Sequence, residues 1–245
     1  MSVFAPAFMT YKQNGPSESV KNIVEKQPGI WLASDLGQSL VLLEKSLVLE
    51  DMATRLLTPR EASEGRTRLA RSAYSDWLFG RLAAKLAGAE LWGIAEQRIE
   101  ILRDASGRPQ AFLPGGQKGS VSVSHTVCAA AALASVAGRS PGIDLERADR
   151  VISDRSWKWA FTEDERALTD ENRGQLPSRL AMWCAKEAAG KAWGLALLNH
   201  LQQIRITGAD WPASIITVAW LGERPVELQV RATCHGPYLL LTSSG

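Results

Sequence analysis

Apolar and polar positions along the chain change period several times, and each change marks an element. Residues 1–29 are polar and broken by Gly15-Pro16 and Pro28-Gly29, so they read as an extension or loop ahead of a first strand near 30–33. Across 39–57 apolar residues are dense; a strand followed by a helix and one continuous helix both fit, and periodicity does not separate them. Thr58-Pro59-Arg60-Glu61 then sets Thr at the N-cap, Pro at the first helical position and Glu at the third, which is capping-box chemistry. A second helix is predicted over 72–87. Strand-like alternation follows at 98–102, 109–113 and 121–124, with a turn at Ser106-Gly107, and the apolar run 127–137 ends at Gly138. Gly142-Ile143-Asp144-Leu145-Glu146 predicts a further strand, with Asp144 and Glu146 on one face and Ile143 and Leu145 on the other. Thr162-Glu163-Asp164-Glu165 repeats the capping box and opens a short helix to about Leu168. A longer helix spans Ser178–Trp193, and strands at 204–207, 215–221, 226–231 and 238–242 close the chain.

This order predicts an α+β fold, and it predicts a repeat. Trp77, Lys85 and Gly88 have the same mutual spacing as Trp183, Lys191 and Gly194, and both sets follow a Thr-capped helix and precede a run of strands. Behind an N-terminal segment 1–29, the chain divides into two similar halves, 30–139 and 140–245, each an antiparallel sheet packed with helices. In this register Arg81 falls where Glu187 falls in the second half.

Composition narrows the class. With 245 residues, 45% apolar, 22% charged and a net charge of +2, the chain can bury a sizeable core and is neither disordered nor strongly basic, so nucleic acid is not an expected partner. No apolar run reaches membrane-span length and the N-terminus lacks a positive n-region, so no membrane partner is expected. Cys128, Cys184 and Cys234 have no metal-ligand spacing and read as reduced core thiols, which predicts a cytoplasmic protein. Trp77, Trp157, Trp159 and Trp183 read as core; His200 and His235 receive no role.

The candidate chemistry lies in two stretches. Glu187 and Lys191, four residues apart, share one helix face. If that helix packs across the Asp144/Glu146 face, three carboxylates converge and need a hard cation, Mg²⁺ by preference, to stay ionised together. Each residue alone has a plainer reading. Glu187 and Lys191 could be a surface pair worth a few tenths of a kcal/mol, Asp144 and Glu146 a solvated strand face, and His125 a structural histidine. Their conjunction counts against these readings.

Val123-Ser124-His125-Thr126, Gly142-Ile143-Asp144-Leu145-Glu146 and Trp183-Cys184-Ala185-Lys186-Glu187-Ala188-Ala189-Gly190-Lys191 stand in the order and at the spacing of a known motif set. Together with Trp77-Leu78-Phe79-Gly80-Arg81-Leu82-Ala83-Ala84-Lys85 and Gly107-Arg108-Pro109, they resemble the 4′-phosphopantetheinyl transferases of the surfactin-synthetase type, over about 56–206. The resemblance implies a pseudo-dimer of two halves with coenzyme A in the cleft between them, the first half on the coenzyme A side and the second on the metal and catalytic side. It implies Mg²⁺-dependent transfer of phosphopantetheine from coenzyme A to a serine of an apo acyl or peptidyl carrier protein, releasing 3′,5′-ADP.

Residue by residue, it implies that Asp144, Glu146 and Glu187 hold Mg²⁺, or Mn²⁺ in its place, and that Glu187 takes the serine proton. Lys191 would offset charge on the phosphate under attack, with Lys186 a supporting cation. His125 and Arg81 would meet the 3′-phosphate, while Ser124, Arg108 and Pro109 line the nucleotide pocket. Thr126 stands where the family commonly has Ser, and Ala73 and Asp76 where some members carry Arg, a part Arg71 would take. Both sides of the cleft lie in one chain, so a monomer is expected. The competing class is a non-catalytic carrier-protein or coenzyme A binding module on the same fold, against which the intact Asp144, Glu187 and Lys191 argue.

Overall fold

The computed structural model describes residues 23–35, 37–67, 71–169 and 176–243, with only the backbone of Arg71. The first half runs β1 (Val24–Gln27), β2 (Ile30–Asp35), β3 (Gln38–Glu44), α1 (Leu47–Leu56), α2 (Pro59–Gly65), α3 (Arg71–Trp92), β4 (Glu100–Arg103), β5 (Pro109–Phe112), β6 (Lys118–His125) and β7 (Ala129–Ser135). The second runs β8 (Gly142–Arg147), α4 (Asp154–Ala160), α5 (Glu163–Ala167), α6 (Ser178–Trp193), α7 (Leu197–His200), β9 (Ile204–Asp210), β10 (Ile215–Trp220), β11 (Val226–His235) and β12 (Tyr238–Ser243). The fold is α+β, with two antiparallel sheets ordered β1-β2-β3-β7-β6-β5-β4 and β8-β12-β11-β10-β9.

Strand alternation sorts the core into layers. On β3, Leu40 and Leu42 join Leu133 of β7, Ile143 and Leu145 of β8, and Tyr238 and Leu240 of β12, so the two sheets face each other. Val41 and Leu43 point the opposite way, onto Leu78, Phe79 and Leu82 of α3. Leu239 and Leu241 of β12 likewise face the cluster that holds Ala181, Ala185 and Ala188 of α6. The order of layers is α3, sheet, sheet, α6. Asp144 alternates with Ile143 and Leu145 and therefore faces α6.

Both halves use one internal device. Thr58 and Thr162 each complete a capping box, with Glu61 and Glu165. The same carboxylates reach further: Glu61 accepts the backbone N–H of Ile101 at 2.8 Å and pairs with buried Lys85 at 2.9 Å. Glu165 accepts the N–H of Ile206 at 2.8 Å and pairs with buried Lys186 at 2.7 Å. Lys85 and Lys186 thus have like partners, whereas the Trp and Gly spacing sets Lys85 against Lys191.

Other expectations are corrected as well. The segment ahead of Ile30 contains β1, while residues 1–22 lie outside the described chain. The ambiguous 39–57 stretch is β3 followed by α1, which Ser46 caps by accepting from the N–H of Leu49 at 3.3 Å. Helix α3 extends to Trp92, and α4 and α7 lie where the sequence pattern predicts no helix. Trp77, Trp157 and Trp183 are buried, but Trp159 is 56% exposed. Of the cysteines only Cys184 is buried; Cys128 and Cys234 are exposed. Among the described residues, no helix is long and apolar enough to cross a membrane.

Candidate functional site

Gly142 opens β8 beneath α6, where an added Cβ would come within 2.0 Å of the Ala188 carbonyl oxygen; only glycine lets the helix lie this close. The consequence is a short path from β8 to the last turns of α6. Asp144 Oδ1 accepts from Lys191 Nζ at 2.8 Å and from Ser124 Oγ at 2.9 Å. Lys191 Nζ also donates to Ser124 Oγ at 3.0 Å and to the Ile143 carbonyl at 2.9 Å. Since Ser124 lies on β6, the cluster joins the two halves. Glu187, one turn before Lys191, is fixed by the Trp183 indole N–H at 2.9 Å.

The electrostatics divide the two acids. Burial would raise the Asp144 carboxyl, but the Lys191 ammonium, with hydrogen bonds from Lys191, Cys184 and Ser124, holds it below the usual range. Glu187 is pushed up to about 7, first by burial and then by the negative charge of Asp144, with Lys191 opposing. Burial and the Asp144 charge raise the Cys184 thiol. Asp144 Oδ2 is buried with no hydrogen-bond partner. A buried carboxylate oxygen without a donor, beside a second carboxyl group, is oxygen-ligand chemistry that fits a hard divalent cation. Asp144 and Glu187 are the residues that would hold it.

The remaining residues lie as follows. Glu146 shares the Asp144 face of β8 but is turned into an ion pair with Arg150, and no cluster of three metal-ligating side chains forms among the described residues. Lys186 points into the core: besides Glu165 it donates to the Ala160 carbonyl at 2.9 Å and sits 4.4 Å from the Phe161 ring centroid. Burial lowers its pKa, against the charge of Glu165.

Arg81 is buried, bonded to Glu64 at 2.9 Å and stacked 4.8 Å from the Trp77 ring centroid. Beside that pair a groove of about 580 Å³ is lined by Arg60, Ser63, Glu64, Thr67, Leu102 and Arg103. His125, at the end of β6, lies 3.7 Å from Asp76, and burial lowers its pKa while Asp76 opposes. Pro109 begins β5, and Arg108 reaches the carbonyls of α6. Arg71 opens α3, but its side chain lies outside the described residues.

Sequence reasoning missed Lys45, which bonds Asp76 and the Thr126 carbonyl and so ties the end of β6 to α3. No local pattern marks it, because its partners lie far along the chain. In the sequence Asp76 stands out only as a departure from a motif.

No curated protein matches the chain. Among solved structures, a holo-(acyl-carrier-protein) synthase from Bacillus anthracis, in complex with CoA (3′,5′-ADP), is similar at 23% identity. The similarity covers 40% of this chain and 92% of that one, with a TM-score of 0.36. The family comparison falls on the part of the chain that holds Asp144, Glu187 and Lys191: in residues 140–237 this chain carries the sequence pattern of the 4′-phosphopantetheinyl transferase superfamily.

Proposed function

We propose that this chain transfers 4′-phosphopantetheine from coenzyme A to a serine of an apo acyl or peptidyl carrier protein and releases 3′,5′-ADP. The observation that carries the reading is the Asp144–Lys191–Ser124 cluster across the two halves with Glu187 beside it; Asp144, Glu187 and Lys191 fall within the 140–237 stretch that matches the superfamily. In the reaction, the serine Oγ forms a bond to the pantetheine-bearing phosphorus. The bond from that phosphorus to the bridging oxygen breaks, and its electron pair leaves with 3′,5′-ADP.

Glu187, beside the Asp144–Lys191 cluster, would accept the serine proton, directly or through a water. Lys191 offsets charge on the phosphate under attack, since phosphoryl transfer rests on positioning and charge compensation. Mg²⁺, or Mn²⁺, held by Asp144 and Glu187, and by Glu146 once freed from Arg150, would neutralise charge on the pyrophosphate. Ser124, His125 and Pro109 of the 30–139 half border the side where the nucleotide would lie. Both sides of the site belong to one chain, so a monomer, working in the cytoplasm, completes the reading.

The test is to incubate the protein with coenzyme A, Mg²⁺ and a panel of apo carrier proteins and weigh the carriers by intact-protein mass spectrometry. A gain of one phosphopantetheine group, abolished by chelation, is expected. No gain on any carrier, with coenzyme A still bound, would replace this reading by a non-catalytic binding module.

A further inference from the structure

The hairpin between β4 and β5 belongs to the first sheet, yet its arginine reaches the second half. Asp104 Oδ1 accepts from the backbone N–H groups of Ser106 at 2.8 Å and Arg108 at 3.0 Å, and from the Ser106 hydroxyl at 2.6 Å. With Gly107 at φ 86°, the turn is a fixed platform. From it the Arg108 guanidinium donates to the carbonyls of Lys191 at 3.3 Å and Ala192 at 3.4 Å.

These carbonyls lie in the last turn of α6, where the Lys191 carbonyl also accepts the Gly194 N–H at 3.1 Å and a cation opposes the negative end of the helix dipole. Gly194, the left-handed cap at φ 75°, makes room: a Cβ there would stand 2.6 Å from Arg108 Nη1. Lys191 is therefore held by the first half at both ends, its carbonyl by Arg108 and its ammonium by Ser124.

We infer that Arg108 is a positioning residue: by holding the last turn of α6 from across the seam, it sets where the Lys191 ammonium sits against Asp144. The kinetic consequence rests on the transfer reaction proposed above; the contact does not.

Under that reaction, Arg108→Ala should lower kcat roughly ten- to hundredfold, the scale expected when a reacting group is misplaced, with KM for coenzyme A essentially unchanged. Arg108→Lys, which keeps a cation near the helix end, should recover most of the loss. A rise in KM with kcat preserved would overturn the inference and make Arg108 a nucleotide ligand instead.

Two readouts need no activity. Gly194→Ala should destabilise the parent protein more than it destabilises the Arg108→Ala protein, where the crowding is gone; additive effects in urea unfolding would reject the contact. A crystal structure of Arg108→Ala with Lys191 still bonded to Asp144 would reject the positioning role, while displacement of Lys191 would support it. Should the parent protein transfer nothing, the proposed function falls, and these two readouts still decide the role of Arg108.

Discussion

Burial and the charge of Asp144 push the Glu187 carboxyl up to about 7, well above the roughly 4.3 of a free glutamate. Between those values the folded state holds a proton that the unfolded state has lost, so stability falls as pH rises through this window and levels off above it. Asp144 has the opposite sign: its pKa is lowered, so its contribution is present above about 3.9 and lost only in stronger acid. The two windows do not overlap. In chelated buffer, urea unfolding should show the parent protein losing on the order of 2 kcal/mol between pH 5 and 8, relative to Glu187→Gln. Parallel pH profiles for the two proteins would contradict this account of Glu187.

The same variant should reduce transfer by about a hundredfold or more, the usual range for a lost proton acceptor, while coenzyme A binding persists. A cation held by Asp144 and Glu187, as proposed, would compete with the Glu187 proton. Mg²⁺ should therefore raise the melting temperature more at pH 8 than at pH 6. An equal rise at both pH values would mean that the ion binds elsewhere.

Helix α6 presents different chemistry on adjacent faces. Lys186 enters the core against Glu165, while Glu187 and Lys191 face β8 and β6. Replacing Lys186 by Met leaves the Glu165 carboxylate buried with its main cation gone, a change expected to cost about 3–5 kcal/mol. Glu165→Gln in the same chain should return part of that loss. Because Lys186 stands apart from the Asp144 cluster, the folded fraction of Lys186→Met should keep its kcat; a loss of kcat at preserved stability would return Lys186 to the site. At this scale the capping boxes were legible, since Thr58 with Glu61 and Thr162 with Glu165 are local patterns. Their lysine partners were not, because Lys85 and Lys186 reach them from separate helices.

The two sheets meet through Leu40, Leu42, Leu133, Ile143, Leu145 and Leu240, and β6 and β8 add bonds from the Ile143 N–H to Ser122 Oγ and from Ser124 Oγ to Asp144. A seam built this way couples the halves. Far-UV circular dichroism and Trp fluorescence should report one unfolding transition, and Leu240→Ala should shift both together, by about 2–5 kcal/mol. Two separate transitions would mean that the halves fold independently.

The sequence by itself determined the long helices and most strands, the paired capping boxes and the division of β8 into an acidic and an apolar face, because each follows from local spacing and backbone period; it left open β1, the switch from strand to helix within 39–57, and the short α4 and α7. It also marked Asp144, Glu187 and Lys191, through motifs in a recognisable order. Only the tertiary structure decided which groups meet: that Lys191 and not Lys186 reaches Asp144, that Glu146 turns to Arg150, that Ser124 completes the cluster, and that Arg108 spans to α6. These depend on how α6 is rotated and seated on β8, which Gly142 permits and the packing of two sheets fixes. Contacts between segments so far apart in the chain leave no period for a sequence to display.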